Sequence, residues 1–277
     1  MERRHLLRLL LGLACVPQLS RAGAGEPLAM AVYPYRPAVE IQNHFAPLLK
    51  LLSGAVDRPI SLRIGRDYDE HMRMVIEEGV DLAYIGAAGY LALTRQASDL
   101  SLLCRMEIEG RAELGGHIVV RKDSPLKSLA DLRGRRMAFT DKNSTMGYLV
   151  PRAILARAGI REKDFLAQRF FGSNENVAMA VMSGDFDAGA MRADAFDAYV
   201  AAGLRSLHEL PRFSEHVFVA TRRLARPLQE ALRGAMLGLA DTAAGRDVLR
   251  KIRNNATALV PGKPADFDGL RQMLASA

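Results

Sequence analysis

Short apolar runs alternate with amphipathic segments through the first half of the chain. Four of these runs are typical of buried strands: Leu28–Tyr33, Pro59–Ile64, Val80–Ile85 and Leu100–Met106. Between them, apolar residues recur at helical spacing in three segments: Val39–Leu52, Met72–Ile76 and Tyr90–Gln96. Pro37 and Asp67 stand where the first two helices are expected to begin. The alternation of strands and helices predicts an open α/β sheet.

A second series of the same kind follows. Its predicted strands are Gly115–Val120, which runs into a polar turn, and then Met137–Thr140, Arg169–Phe171, Phe186–Met191 and Leu204–Leu207. Its predicted helices include Asn174–Met182 and Ala193–Ala201. One more buried strand is expected at Val217–Thr221, and beyond it we expect only helices: Pro227–Leu237, Ala243–Ile252 and Phe267–Leu274.

Two α/β series with a helical tail predict two lobes. The segments around Val119–Lys122 and Val217–Arg222 are the expected crossovers between them. Residues 25–121 and 217–277 would then form lobe 1, and residues 122–216 would form lobe 2. Ligands of open α/β sheets bind beyond the carboxyl ends of the strands, so a cleft between the lobes is the expected binding site.

The loop Asp141–Pro151 lies between a predicted strand and a predicted helix, Ala153–Gly159. The first N–H groups of a helix have no partner within the helix, and the helix dipole favours an anion there. Ser144 and Thr145 can add hydroxyl donors, and Gly147 would let a ligand approach the backbone. An ordinary Ser/Thr N-cap without a ligand accounts for the same residues.

The first residues resemble a targeting segment. A basic start is followed by the apolar stretch Leu9–Val16 and the small-residue pattern Ala22-Gly23-Ala24. We therefore predict a signal peptide over residues 1–24, cleaved near Ala24, and export to the periplasm. Cys104 would remain as the single cysteine.

Composition narrows the class of function. The net charge is +7, but the basic residues are scattered rather than clustered among aromatic residues, so nucleic acid is not indicated. No catalytic triad and no metal-ligand spacing is visible. We expect a monomer that is not an enzyme and that holds no metal or cofactor.

Several segments resemble a known family, the periplasmic substrate-binding proteins of phosphate, phosphite and phosphonate importers, and in particular its phosphonate-binding (PhnD-like) group. They are Asp67-Tyr68, Asp81–Gly86, Val119–Ser124, Ser128–Gly134, Asn143–Pro151 and Asp187–Ala190. The resemblance implies a type II periplasmic binding protein fold, with two lobes, two crossover strands and a ligand trapped by hinge closure. It also implies a small anionic solute and an ABC permease as partners.

The resemblance also implies a ligand site. Ser144 and Thr145 match the hydroxyls that bind the oxyanion, and Tyr68 matches a tyrosine that closes over the ligand. Asn174 stands where the family often has a histidine, and asparagine cannot carry a positive charge.

Three further positions bear on the identity of the solute. Asp194 matches an acid that meets the amino group of an aminophosphonate, but His216 replaces a second such acid. These departures argue against an aminophosphonate. Tyr84 is a ligand candidate with an equally good packing interpretation. Arg192 could pair with an anion or with Asp194.

Cys104 supports an alternative function. A branch similar to this family captures arsenite through a cysteine and presents it to a membrane sensor histidine kinase, and soft thiolates suit such ions. A small buried residue in a strand is the competing interpretation of Cys104.

Overall fold

The structure is a computed structural model that describes residues 26–77, 79–97 and 99–276. The predicted signal peptide lies outside the described residues. In chain order the strands are β1 (Leu28–Val32), β2 (Ile60–Ile64), β3 (Leu82–Ile85), β4 (Ser101–Ile108), β5 (Glu113–Arg121), β6 (Arg136–Phe139), β7 (Ala167–Phe170), β8 (Ala188–Arg192), β9 (Leu204–Ser214), β10 (Val217–Ala220) and β11 (Ala256–Val260). The helices are α1 (Ala38–Val56), α2 (Tyr68–Ile76), α3 (Ala87–Gln96), α4 (Val150–Arg157), α5 (Asn174–Met182), α6 (Ala193–Val200), α7 (Arg226–Leu237), α8 (Ala243–Ile252) and α9 (Asp268–Ala275).

The strands form two separate sheets. The first has the order β11-β4-β10-β3-β1-β2, and the second has the order β7-β6-β8-β5-β9. In each sheet a parallel core (β2-β1-β3 or β7-β6-β8) is extended by antiparallel strands. The predicted two-lobed α/β fold is therefore present. Among the described residues, no helix is long and apolar enough to cross a membrane.

The first crossover differs from the expected one. β5 pairs with β8 and β9, so Val119–Lys122 lies in or beside the second sheet. The chain passes between the sheets earlier, after a turn at Glu109 and Gly110, whose φ angles are +51° and +74°. Val120 is buried in the second sheet, which accounts for its apolar side chain. The return passage is Glu215-His216, directly before β10.

β11 was not expected, because the segment after Thr221 was predicted to be helical throughout. It is a five-residue strand that pairs antiparallel with β4 at the edge of the first sheet. A run this short has no decisive period of its own. Its pairing with β4 therefore decides its conformation.

Helix α1 shows why the spacing of apolar residues predicted elements of lobe 1 correctly. Ile41, Phe45, Leu48 and Leu52 recur at helical spacing, and all four are buried in one cluster with β1, β3 and β10. Burying a side chain of this size contributes about 1.5–3 kcal/mol. The spacing of these residues fixes the face of the helix that meets the sheet.

The N-cap of α2 gives a test of one local prediction. The Asp67 carboxylate accepts a hydrogen bond from the Glu70 N–H at 2.7 Å. Asp67→Ala should lower the free energy of unfolding by about 1 kcal/mol, measured by urea denaturation. Asp67→Asn keeps the acceptor and serves as the control. Equal stability of the two variants would contradict a capping role.

Candidate functional site

A small cavity lies between the two lobes. Lobe 1 contributes Tyr33, Tyr35, Tyr68 and Gly86 to its lining, while lobe 2 contributes the loop that follows β6 and the ends of neighbouring strands. The enclosed volume is about 30 Å³. One water needs roughly 10–15 Å³ on the same measure, so the cavity suits a ligand of only a few heavy atoms.

The lobes are closed over this cavity. The Ala88 N–H of lobe 1 donates to Thr145 Oγ1 of lobe 2 at 3.1 Å. At the rim, Lys142 Nζ lies 2.8 Å from the Asp69 carboxylate. These contacts cross the cleft and hold its two walls together.

Several helices begin at the cavity. Gly86 precedes α3, Asn174 is the first residue of α5, and Arg192 precedes α6; all three residues line the cavity. Each lies where a strand or a connecting loop gives way to a helix. The unpaired N–H groups and the positive dipole ends of helix N-termini favour an anion.

The loop after β6 provides hydroxyl groups, as the sequence predicts. Ser144 lines the cavity and also caps the helical turn Thr145–Leu149, because its Oγ accepts from the Gly147 N–H at 3.1 Å. Ser144 therefore acts as a cap and also lines the cavity, so the two interpretations do not exclude each other. Thr145 Oγ1 accepts from Ala88, which leaves the Thr145 hydroxyl hydrogen free to donate.

Gly147 has a different role from the expected one. It is not in the lining, and its N–H is bonded to Ser144. A Cβ at this position would lie 1.7 Å from Thr140 Oγ1 and 2.8 Å from Ser144 Oγ. Glycine is therefore required so that the loop can pack against Thr140, and not for the approach of a ligand.

Sequence reasoning missed Thr140 as a site residue. It follows β6 directly and lines the cavity, and its buried Oγ1 has no hydrogen-bond partner among the described residues. An unpaired buried hydroxyl is costly unless a ligand or water satisfies it. Its position at the end of a predicted strand was the available signal.

Arg192 provides a positive charge at the cavity, where Asn174 stands in place of the histidine expected from the resemblance. Both residues line the cavity, and Asn174 Oδ1 accepts from the Arg192 backbone N–H at 3.1 Å. Burial disfavours the guanidinium charge, but the neighbouring Asp194 carboxylate keeps the pKa of Arg192 above its usual value. The positive charge therefore comes from the end of β8 instead of from the start of α5.

Asp194 is not available to a ligand amine. It is absent from the lining, and Arg253 Nη2 lies 2.7 Å from one carboxylate oxygen. Arg192 Nε lies 3.2 Å from the other oxygen. The expectation that Asp194 binds the ligand is therefore wrong, because two arginines already neutralise it.

His216 lines the cavity and belongs to a buried chain of polar groups. Its Nε2 lies 2.6 Å from the Tyr33 hydroxyl, and its Nδ1 lies 2.6 Å from Glu215 Oε2. Glu215 in turn accepts from Arg253 at 2.7 Å. Burial lowers the pKa of His216, although Glu215 acts in the opposite direction, so the ring is neutral near pH 7.

Tyr68 and Tyr84 have different positions. Tyr68 lines the cavity, with its ring centroid 5.0 Å from that of Tyr33, and burial raises its pKa well above the usual value. Tyr84 lies behind the lining and packs against His216 and Phe218, with centroid distances of 5.3 and 4.9 Å. The proposed ligand role of Tyr84 is therefore wrong, and its packing interpretation is the one that the structure supports.

Cys104 does not face the cleft. It is fully buried in the core of lobe 1, where its thiol contacts Met236 Sδ at 3.6 Å. Burial raises the pKa of the thiol far above its usual value, so no thiolate forms near neutral pH. Within the described part of the chain, no group of three or more His, Cys, Asp or Glu residues could hold a metal ion.

The sequence matches a known protein family over most of its length. Residues 30–267 match the family described as ABC transporter, phosphonate, periplasmic substrate-binding protein. The phosphate-import protein PhnD of Mycolicibacterium smegmatis is 26% identical over 286 residues, which cover 93% of this chain and 88% of that protein.

Solved structures share the fold. PhnD1 from Prochlorococcus marinus, in complex with methylphosphonate, has a TM-score of 0.80 at 21% identity and covers 91% of this chain and 99% of its own. A binding protein component of an ABC phosphonate transporter from Pseudomonas aeruginosa has a TM-score of 0.79 at 18% identity, with coverages of 90% and 85%. These similarities confirm the predicted two-lobed fold.

Replacement of Arg192 tests the cationic wall of the cavity. Arg192→Gln should weaken the binding of a small oxyanion on the order of 10- to 100-fold, because a hydrogen bond from a charged donor contributes about 1.5–3 kcal/mol. The measurement is calorimetric titration. Arg136→Gln is the matched control, since Arg136 also pairs with an aspartate of lobe 2, Asp187, but does not line the cavity. An equal loss in both variants would contradict a direct role for Arg192.

Burial of Cys104 predicts an unreactive thiol. In the chain without residues 1–24, Ellman's reagent should label no thiol in the native state and one thiol per chain in urea. Cys104→Ser should be less stable by about 1–3 kcal/mol, because the hydroxyl would lack a hydrogen-bond partner. Rapid labelling of the native protein would show that Cys104 is accessible after all.

Proposed function

This chain belongs to the family of periplasmic phosphonate-binding proteins of ABC transporters, and on that premise we propose that it captures a small phosphorus oxyanion in the closed cleft. The solute would be phosphite, phosphate or a small phosphonate, and the closed protein would deliver it to an ABC permease. The observation that carries the proposal is the convergence of Arg192, the hydroxyls of Thr140 and Thr145, and helix N-termini on one small cavity.

The donors match the chemistry of a tetrahedral oxyanion. Thr140, Thr145 and Asn174 each have hydrogen-bond donors without a partner among the described residues, and Arg192 adds a positive charge. Such an ion offers several acceptor oxygens in a compact volume. The cavity volume of about 30 Å³ favours the smaller members of this class.

Hinge closure would trap the solute. The contacts of Thr145 with Ala88 and of Lys142 with Asp69 exist only when the lobes approach each other. A ligand that contacts both walls favours this closed form over an open one. The permease would then recognise the closed form. The family description, a periplasmic substrate-binding protein, supports the predicted export through a signal peptide at residues 1–24.

Two other functions lack support. The resemblance offered Asp194 as the acid that would meet an aminophosphonate, but Asp194 is paired with arginines. The sensor-kinase alternative rested on Cys104, which is buried in the core, and the relatives described above have names that refer to import or phosphonate binding.

Titration tests the proposal. Purified protein should bind at least one of phosphite, methylphosphonate and phosphate with a Kd in the micromolar range or tighter, measured by calorimetry at pH 7. Addition of that ligand should also decrease the radius of gyration in small-angle scattering, because closure compacts the two lobes. Absence of binding to all three solutes would refute the proposal.

A further inference from the structure

The cavity contains an acidic group that an anion site would not be expected to include. Asp141 lines it, and no ion pair of Asp141 is present among the described residues. Its Oδ1 accepts from the Asn143 N–H at 2.8 Å, while the adjacent Lys142 is bonded to Asp69. The second carboxylate oxygen of Asp141 accepts no hydrogen bond from the described residues.

Burial and two neighbouring carboxylates disfavour the negative charge of Asp141. Burial raises the pKa of Asp141, and Asp69 and Asp67 act in the same direction, whereas the Asn143 N–H and Lys142 oppose them. Tyr68, from α2, lines the same cavity from the other lobe. A second negative charge placed here would be repelled unless a proton is shared between the two groups.

Tyr33 adds no donor for an anion in this part of the lining. Glu215 is ionised beside Arg253, so the hydrogen on His216 Nδ1 points to Glu215 and Nε2 is left as an acceptor. The Tyr33 hydroxyl therefore donates to Nε2 at 2.6 Å, and only its lone pairs remain. The other groups near this histidine are Arg192 and the ring of Tyr84.

The charged groups around the cavity form ion pairs with one another. Arg192 and Arg253 are matched by Asp194 and Glu215 in one connected cluster. Lys142 is matched by Asp69. Asp141 is therefore a lining carboxylate whose charge is not matched by an ion pair among the described residues.

We propose that the cleft binds a phosphorus oxyanion in its singly protonated form and that the P–OH group donates a hydrogen bond to the Asp141 carboxylate. This inference rests on the proposed function and narrows its substrate class. Sulfate and alkanesulfonates have the same tetrahedral shape but carry no proton at neutral pH. The carboxylate would reject them through unrelieved repulsion.

The comparison of methylphosphonate with methanesulfonate isolates this proton. The two ions have nearly the same size, and the bound forms carry the same charge, so they differ by one ionisable hydrogen. Calorimetric titration at pH 7 should give at least 100-fold weaker binding of methanesulfonate. The affinity for methylphosphonate should be constant below the second pKa of the ligand and fall tenfold per pH unit above it, because only the monoanion binds.

Asp141→Asn supplies the matched variant. Asparagine keeps the Oδ1 acceptor for the Asn143 N–H but replaces the second oxygen by a donor. Methanesulfonate should then bind at least tenfold more tightly than it binds to the wild type, and the loss of methylphosphonate affinity at high pH should disappear. Asp123→Asn, in an exposed aspartate outside the cavity, should change neither property.

The outcomes separate the inference from the proposed function. If the wild type binds methylphosphonate equally well on both sides of its second pKa, or binds methanesulfonate as tightly, the inference is overturned while the proposed function stands. If 2-aminoethylphosphonate binds far more tightly than methylphosphonate and Asp141→Asn removes the difference, Asp141 meets an amine and the inference is also overturned. Absence of binding to every phosphorus oxyanion overturns both. The wild-type comparison decides the question even if Asp141→Asn does not fold.

Discussion

Arg253 connects two carboxylates behind the cavity, one of which is fully buried. Its guanidinium bonds Glu215 of the return crossover and Asp194 of lobe 2, while Arg253 itself ends α8 in lobe 1. Glu215 is 1% exposed, and a buried carboxylate is tolerated only with such partners. The cluster therefore ties both lobes to the crossover in one defined arrangement.

The lining of the cavity depends on this cluster in two ways. Through Glu215 and His216 it fixes the orientation of the Tyr33 hydroxyl. Through Asp194 it keeps Arg192 charged at the cavity wall. The ligand therefore meets groups whose protonation and direction are set by residues behind them, which lowers the cost of organising the site on binding.

Much of the fold was predictable because periodic apolar residues are local information. The spacing in α1 and the apolar runs of β1 and β3 gave the right elements, and Asp67 gave the right cap. β11 and the first crossover were missed for a shared reason. β11 is a strand because β4 lies beside it, and β5 belongs to lobe 2 because β8 and β9 pair with it. Pairing partners distant in the chain leave no local pattern.

The same distinction between local pattern and long-range contact applies to the site. By itself, the sequence predicted the hydroxyl loop at Ser144 and Thr145, since a strand followed by a capped helix is a local motif. Its resemblance to the family pointed to Tyr68, and all three residues line the cavity. Only the tertiary structure decided that Arg192 and Thr140 join the lining, that Asp194 is paired with arginines, and that Tyr84 and Cys104 lie in the core. Burial and charge pairing depend on which side chains meet in space, and that is set by the packing of two sheets and the closure of the lobes.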